Sequence, residues 1–192
     1  QRQMCIRDRY FTRDYRFNSP HNLFMTNEKL NLIRQDWEVA EKTPEYLVWQ
    51  FSLDNFSTSD EDVQEINIKY SRIYPYDVKY KHSTSTQNFL RYQNQQPHID
   101  AVDNSQIFVT NLIIQHVPLE IYLDNEGRLA INTLGQGEAD IFIAGQHISG
   151  EWVKNELSDR TIFYDSNGQE IIFKPGNIWI EVVPASGEVE SK

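Results

Sequence analysis

The 192-residue chain carries 18 basic and 28 acidic residues, which gives a formal net charge of −10 at pH 7 and an isoelectric point near 4.9. This charge argues against nonspecific nucleic-acid binding, which depends on Lys and Arg neutralising phosphates, and against docking on anionic lipid. A hydrophobic content of 39%, with four Trp, ten Tyr and ten Phe, is too high for a disordered chain and ordinary for a globular β protein.

The start of the chain gives little structural information. A single cysteine, Cys5, excludes an intrachain disulfide and a multi-cysteine metal site. The opening letters QRQMCIRDR have neither hydrophobic periodicity nor turn residues. We therefore predict that residues 1–9 are a non-native or assembly-artefact segment and that residues 10–45 are the remnant of an upstream α/β domain.

One helix is predicted in this first part. Thr26 or Asn27 suits the N-cap, and Leu30, Ile33 and Trp37 recur at helical spacing on one face. The pattern predicts a helix over about residues 27–39.

From Tyr46 onwards short apolar runs alternate with turn residues, which is typical of β-strands. The near-continuous apolar run at 106–117 predicts a central strand buried on both faces. Asp124 to Gly127 and Ala144-Gly145 predict hairpin turns. The stretch 150–184, with turn residues between aromatic runs, has the signature of a β-meander.

These patterns predict a fold that is mainly β, an antiparallel sheet or partly open barrel with a short N-terminal α segment. A β-rich C-terminal domain is expected over residues 46–184. The small and charged residues 185–192 are expected to form a flexible tail.

The longest polar loop, residues 94–105, carries the candidate site. His98, Asp100 and Asp103 are residue types that serve as metal ligands or as an acid–base pair. The alternative is a polar loop whose aspartates cap its own turns, which is the commoner role. The sequence predicts no metal site and no cofactor.

Two other features have an ordinary structural explanation beside a functional one. The glycines in Leu134 to Glu138 could suggest a phosphate-binding loop, but a predicted strand follows where a helix is needed, so a turn or bulge is expected. The aromatic residues could form a glycan- or peptide-binding face, or they could fill the β core, which is the commoner outcome. They are Trp152, Phe163, Tyr164 and Trp179.

The order of these residues resembles the C-terminal domain of the YerB-like lipoprotein family, a bacterial family of unknown function found largely in Firmicutes. The residues that carry the resemblance are Tyr92, His98, Asp100, Asn111, Gly127-Arg128, Leu134 to Gly137, Gly150 to Trp152, Ser158 to Asp165, Asn167-Gly168, Pro175-Gly176 and Trp179 to Pro184. Residues 10–34 resemble the end of the family's N-terminal domain, most of which this chain lacks.

The resemblance implies an extracytoplasmic location, with membrane attachment only through an N-terminal lipid anchor of the full-length parent, an anchor absent from this chain. We predict a non-catalytic binding or scaffolding domain whose partner is a cell-envelope polymer or an envelope protein. The alternative is an envelope enzyme, a hydrolase or transferase on cell-wall material, that uses the loop with His98, Asp100 and Asp103. The predicted binding residues are Arg91, Tyr92, His98, Asp100, Gly135 and Gly137.

Overall fold

The structure is a computed structural model, and it describes residues 9–39, 41, 48–53, 56, 62–70, 77–118, 120–122 and 129–192. The chain divides into two compact units, residues 1–46 and residues 47–192. Within the described part of the chain, no helix has the length and apolar character needed to cross a membrane.

The first unit contains strands β1 (Thr12–Arg13) and β2 (Leu23–Phe24), which pair antiparallel, and helix α1 (Asn27–Asp36). The helix begins as predicted, because the Thr26 side chain accepts a hydrogen bond from the Lys29 backbone N–H at the N-terminus. The predicted helix is therefore confirmed, and it ends at Asp36, a little before the expected end.

The second unit is built almost entirely of strands. They are β3 (Gln50–Phe51), β4 (Glu65–Lys69), β5 (Asp77–Ser83), β6 (Asn88–Gln93), β7 (Gln96–Pro97), β8 (Phe108–Val109), β9 (Asn111–Val117), β10 (Glu120–Tyr122), β11 (Leu129–Ile131), β12 (Gly135–Ile143), β13 (Gln146–Lys154), β14 (Ile162–Asp165), β15 (Ile172–Phe173), β16 (Ile178–Pro184) and β17 (Glu188–Ser191). The predicted fold class, mainly β with one short N-terminal α segment, is confirmed.

Two main sheets organise this unit. A six-stranded antiparallel sheet runs β17-β4-β5-β6-β7, with β8 also paired to β6. A five-stranded sheet runs β14-β13-β12-β9-β16 and is antiparallel except between β9 and β16. Among the described strands neither sheet closes on itself, so the sheets are open and do not form a barrel.

The two sheets pack through one hydrophobic cluster, and a second cluster covers the opposite face of the five-stranded sheet. Ile66, Tyr80 and Phe89 of the six-stranded sheet share the first cluster with Leu112 and Phe142 of the other. The second cluster contains Ile113, Ile141, Trp152, Phe163 and Phe173, with Trp49 packed against it. Strand β9 therefore sends alternate side chains into both clusters, which confirms the predicted central strand.

The predicted hairpin at Ala144-Gly145 is confirmed. Strands β12 and β13 pair over their whole length, and both turn residues have positive φ, 52° at Ala144 and 91° at Gly145. Strands β10 and β11 also pair antiparallel, while their predicted turn at 124–127 lies outside the described residues.

The C-terminal stretch corrects the prediction of a meander. Strand β14 does pair with β13, but β15 pairs in parallel with β3, and β16 crosses to the far edge of the sheet to pair in parallel with β9. The physical reason lies in Asn111, whose side chain is completely buried. Its amide donates to the backbone oxygens of Lys174 and Asn177 at 2.8 and 3.1 Å, and its oxygen accepts from the Lys174 N–H at 2.9 Å. These bonds hold the start of β16 beside β9.

The flexible tail predicted for residues 185–192 is also corrected. Residues Glu188–Ser191 form β17, which pairs with β4. The Lys192 backbone N–H donates to the Glu65 oxygen at 3.0 Å, and the Lys192 ammonium lies 3.2 Å from the Glu65 carboxylate. The last strand pairs with the backbone groups at one edge of the six-stranded sheet. The polar composition of residues 185–192 gave no signal for this pairing.

Replacement of Asn111 by Ala should lower the free energy of unfolding by about 2–4 kcal/mol, because three buried side-chain hydrogen bonds of ~1 kcal/mol each are lost and backbone groups are left unpaired. Urea denaturation at 25 °C measures this change. The matched control is Asn155→Ala at an exposed position, for which we expect a change within about 0.5 kcal/mol. If Asn111→Ala and Asn155→Ala were equally stable, the hydrogen bonds of the Asn111 side chain would not be what holds β16 beside β9.

His82 makes the stability of the second unit dependent on pH. Neither ring nitrogen has a hydrogen-bond partner among the described residues, and the ring packs 5.1 Å from that of Phe89. Burial lowers the pKa of His82 below its usual 6.5; the nearby Asp62 carboxylate opposes this shift, and the Lys174 ammonium adds to it. The folded state therefore favours the neutral imidazole.

As the pH falls below about 6.5 the unfolded chain takes up a proton at His82 before the folded chain does, so the free energy of unfolding should decrease. We expect His82→Leu to show a smaller loss between pH 7.5 and pH 5 than the unsubstituted chain in urea titrations. The exposed His21→Leu serves as control. An identical pH dependence of all three proteins would contradict the assignment to His82.

Candidate functional site

A buried polar network links the two sheets. Arg91 of β6 and Glu181 of β16 are each only 7% exposed, and the Arg91 guanidinium Nη2 lies 3.3 Å from Glu181 Oε1. The hydroxyls of Tyr70 and Tyr80 both donate to the same carboxylate, one to each oxygen. The Arg91 Nε also donates to the Tyr80 hydroxyl at 3.0 Å. A buried ion pair is thereby surrounded by hydrogen bonds that satisfy it.

This environment shifts the pKa of three neighbouring groups. Burial, followed by the Glu181 charge, raises the pKa of both the Tyr70 and the Tyr80 hydroxyls well above the usual 10, so both remain proton donors. Burial and then the Arg91 charge lower the pKa of His98. A neutral His98 can accept at Nδ1 from the Arg91 guanidinium, which it contacts directly.

His98 and Arg91 also fix the predicted loop through their backbones. The His98 N–H donates to the Arg91 oxygen at 3.0 Å, the Ile107 N–H to the His98 oxygen at 2.8 Å, and the Arg91 N–H to the Ile107 oxygen at 2.9 Å. The Arg91 guanidinium also lies over the Trp179 ring, 5.0 Å from its centroid. The segment 98–107 is therefore an excursion of the six-stranded sheet whose two ends are hydrogen-bonded to each other and to β6.

The two aspartates of the loop point elsewhere. Asp100 accepts from the Val102 N–H at 2.7 Å and Asp103 from the Ser105 N–H at 2.8 Å, so each caps its own turn. The hydrogen bonds to Ser105 lower the pKa of Asp103, which favours its charged form. The structure thus brings His98 to Arg91 and leaves Asp100 and Asp103 exposed. Among the described residues, no three His, Cys, Asp or Glu side chains are arranged to hold a metal ion.

The other predicted binding residues lie apart from this network. Tyr92 follows Arg91 on β6, and its side chain is on the opposite face, where the Lys81 ammonium lies 5.3 Å from the ring centroid. Gly135 and Gly137 belong to β12 of the other sheet, in place of the expected turn or bulge. A Cβ at Gly137 would lie 2.7 Å from Trp152 Nε1, so glycine is required there by the packing of Trp152.

A second candidate site lies on the five-stranded sheet. The hydrophobic cluster between the sheets takes members from β9, β12 and β16 but none from β13 or β14, so part of that face has no apolar cover within the described chain. An open cleft of about 570 Å³ occupies this part. It is lined by Gln136, Gly137, Glu138, Ser149, Gly150, Glu151, Asp165, Ser166 and Gly168.

Cross-strand pairing defines the groups in the cleft. Glu138 lies directly opposite Glu151, and Asp140 lies opposite Ser149. Side chains two residues apart on a strand share a face, so these four project on the same side of the sheet. Neither Glu138 nor Glu151 has a side-chain hydrogen bond or ion pair within the described residues. Two like charges directly opposite each other are unfavourable, and a ligand that donates hydrogen bonds to them would relieve this cost.

Beside the cleft, Asp140 joins two histidines. Its two carboxylate oxygens lie 2.8 Å from His116 Nε2 and 2.7 Å from His147 Nε2, and the His147 ring stacks on Phe142 at 4.6 Å. The hydrogen bond from His116 is the largest cause that lowers the pKa of Asp140. His116 and His147 each contact a different oxygen of the Asp140 carboxylate, so this carboxylate lies between the two imidazole rings.

Sequence reasoning found one half of the polar network and missed the other. Glu181 is the single charge within the apolar run 178–184, and an inward-facing charge in such a run is a signal for a buried partner. Tyr70 and Tyr80 had no comparable signal. The cleft was also missed, because Glu138 and Glu151 are ordinary charged residues until strand pairing places them opposite each other.

Comparisons with known proteins agree on the fold. Residues 66–180 match the family model described as the C-terminal domain of a protein of unknown function, DUF3048. The crystal structure of the YerB protein from Bacillus subtilis is similar to this chain with a TM-score of 0.77 and 18% identity, over 94% of this chain and 59% of YerB. No curated protein matches. The chain thus spans less than two thirds of the length of YerB, and at this identity the likeness concerns the fold alone.

Replacement of Glu181 by Ala should reduce the free energy of unfolding by about 3–5 kcal/mol, because Arg91 would remain buried without its partner. The double variant Arg91→Met/Glu181→Leu should recover part of this loss, since no buried charge then remains. Urea denaturation of both, with the exposed Glu190→Ala as control, tests this expectation. A Glu181→Ala protein as stable as the control would contradict it.

Proposed function

We propose that this chain is a non-catalytic binding or scaffolding domain of an extracytoplasmic bacterial lipoprotein. The chain belongs to the DUF3048 family, because it matches the C-terminal domain of that family. Its partner in this proposal is a polymer of the cell envelope. The binding surface is the uncovered part of the five-stranded sheet, around the cleft between β12, β13 and the turn after β14.

One observation carries the proposal: the cleft is an open depression that polar side chains and glycines line, on two long strands that pair over their whole length. β12 and β13 pair over nine residues each, which fixes the spacing of the side chains that project from them. A volume of about 570 Å³ lies within the usual range of about 300–1,000 Å³ for ligand sites. An open groove on a sheet suits a chain-like ligand that enters and leaves at the sides.

The geometry of the loop supports a binding role over the enzymatic alternative. An acid–base pair must lie within hydrogen-bond reach of one substrate. Asp100 and Asp103 instead accept from backbone N–H groups of their own turns, and His98 faces Arg91. These side chains make hydrogen bonds within the excursion at 98–107 or to Arg91, and they do not converge on a common point.

The charge of the cleft indicates the kind of polymer. None of its nine described lining residues is basic, and Glu138, Glu151 and Asp165 are acidic. Phosphate-bearing wall polymers would be repelled, whereas an uncharged polymer would not. The family resemblance supports the extracytoplasmic location and the lipid anchor on the parent protein, and these remain parts of the proposal.

Cosedimentation with purified Bacillus subtilis wall fragments tests this function. The 192-residue chain should sediment with the fragments at least as well after removal of their covalently attached anionic polymers as before, because the cleft has acidic and no basic lining residues. Bovine serum albumin, also acidic, controls for trapping. If the chain stays in the supernatant with both preparations, the proposal is wrong. If it sediments only while the anionic polymers are present, the assignment of the cleft is wrong.

A further inference from the structure

We propose that the cleft binds a neutral glycan, a chain of uncharged, hydroxyl-bearing sugars. The inference rests on the proposed function and names the chemical class of its ligand. It follows from the hydrogen-bonding groups that β12, β13 and the turn after β14 place in one groove.

The lining offers both acceptors and donors. The carboxylates of Glu138 and Glu151 can only accept, whereas the hydroxyls of Ser149 and Ser166 and the amide of Gln136 can do both. None of these five side chains has a hydrogen-bond partner among the described residues. A ligand that fills the groove must therefore bring donors to the carboxylates and acceptors to the hydroxyls and the amide.

This combination distinguishes the possible ligand classes. An ammonium group has donors alone and would leave the amide N–H₂ without an acceptor. A phosphate has acceptors and negative charge, which the paired glutamates oppose. A sugar hydroxyl donates and accepts at the same oxygen, so a row of hydroxyls can satisfy every group in the lining. The mixed lining therefore favours a glycan over an amine or an anionic polymer.

The neighbouring strand places an aromatic side chain on the same side of the sheet as the paired glutamates, next to the lining of the cleft. Tyr164 of β14 is the cross-strand partner of Glu151, and it is half-buried. Its ring lies in the same row of the sheet as the Glu138–Glu151 pair, because facing residues of neighbouring strands project to the same side. An aromatic ring beside carboxylates can pack against the C–H face of a sugar while the carboxylates bind its hydroxyls. By contrast, Trp152 and Phe163 are completely buried and serve the core, as the sequence favoured.

Isothermal titration of the 192-residue chain tests the inference with three neutral hexasaccharides, chitohexaose, cellohexaose and maltohexaose. Pentalysine and poly(glycerol phosphate) serve as the amine and the anionic probes. At least one hexasaccharide should bind, and poly(glycerol phosphate) should not. Glu151→Gln should weaken glycan binding about tenfold, as expected for the loss of one charge-assisted hydrogen bond. The control, Glu190→Gln on the six-stranded sheet, should bind like the unsubstituted chain.

Ser149→Tyr provides a second test that does not depend on charge. The position is exposed in a strand, where Tyr is well tolerated, and the larger side chain would obstruct the groove. Glycan binding should be lost, while the midpoint of urea denaturation should equal that of the control variant Glu190→Gln. If Glu151→Gln and Ser149→Tyr both bind the glycan with unchanged affinity, the glycan does not bind in the cleft and the inference is wrong.

The outcomes separate this inference from the proposed function. Cosedimentation with wall fragments without binding of any hexasaccharide would overturn the glycan and leave the envelope role standing. Failure of both would overturn both. Binding of pentalysine that is lost in Glu151→Gln, with no glycan binding, would make the cleft an amine site and contradict the glycan.

Discussion

The completely buried amide of Asn111 is the constraint on which the rest of the second unit depends. Its hydrogen bonds to the backbone of Lys174 and Asn177 bring β16 beside β9, in parallel, at the edge of the five-stranded sheet. That placement points Glu181 towards the other sheet, where it meets Arg91. Arg91 in turn contacts His98 and fixes the excursion at 98–107. One side chain at the start of a strand thus positions a polar network and a loop.

The hydrophobic cluster between the two sheets covers only part of the five-stranded sheet, and the cleft lies on the part that it leaves uncovered. Apolar side chains of the six-stranded sheet cover β9, β16 and one end of β12, where the facing residues are Leu112, Phe142 and Val183. Further along, the same face carries Glu138 and Glu151, which have no apolar cover among the described residues. Burial of carboxylates without partners would be costly, so a sheet with these residues keeps that part of its face in contact with water or a ligand.

The candidate loop illustrates how far sequence reasoning reaches towards a site. Polar residues at 94–105 indicated a loop, but Gln96–Pro97 within it form β7 and pair with β6. Arg91 and His98 were both predicted as binding residues, and they do contact each other. Asp100 and Asp103 had two possible roles, and the choice between them depends on where each carboxylate points. Each carboxylate accepts a hydrogen bond from the backbone N–H two residues later in the chain. Glu181 comes from a strand 90 residues after Arg91, and no local pattern connects the two.

The sequence by itself determined the fold class, the helix, the central strand and the hairpin at Ala144-Gly145, because periodicity and turn residues act over a few neighbouring residues. Only the tertiary structure decided the partners of β16 and β17 and the pairing of Glu138 with Glu151. Strand pairing depends on hydrogen bonds and packing between distant segments. An apolar strand such as β16 can form such hydrogen bonds and contacts at more than one sheet edge. The hydrogen bonds of the buried Asn111 side chain select the edge next to β9.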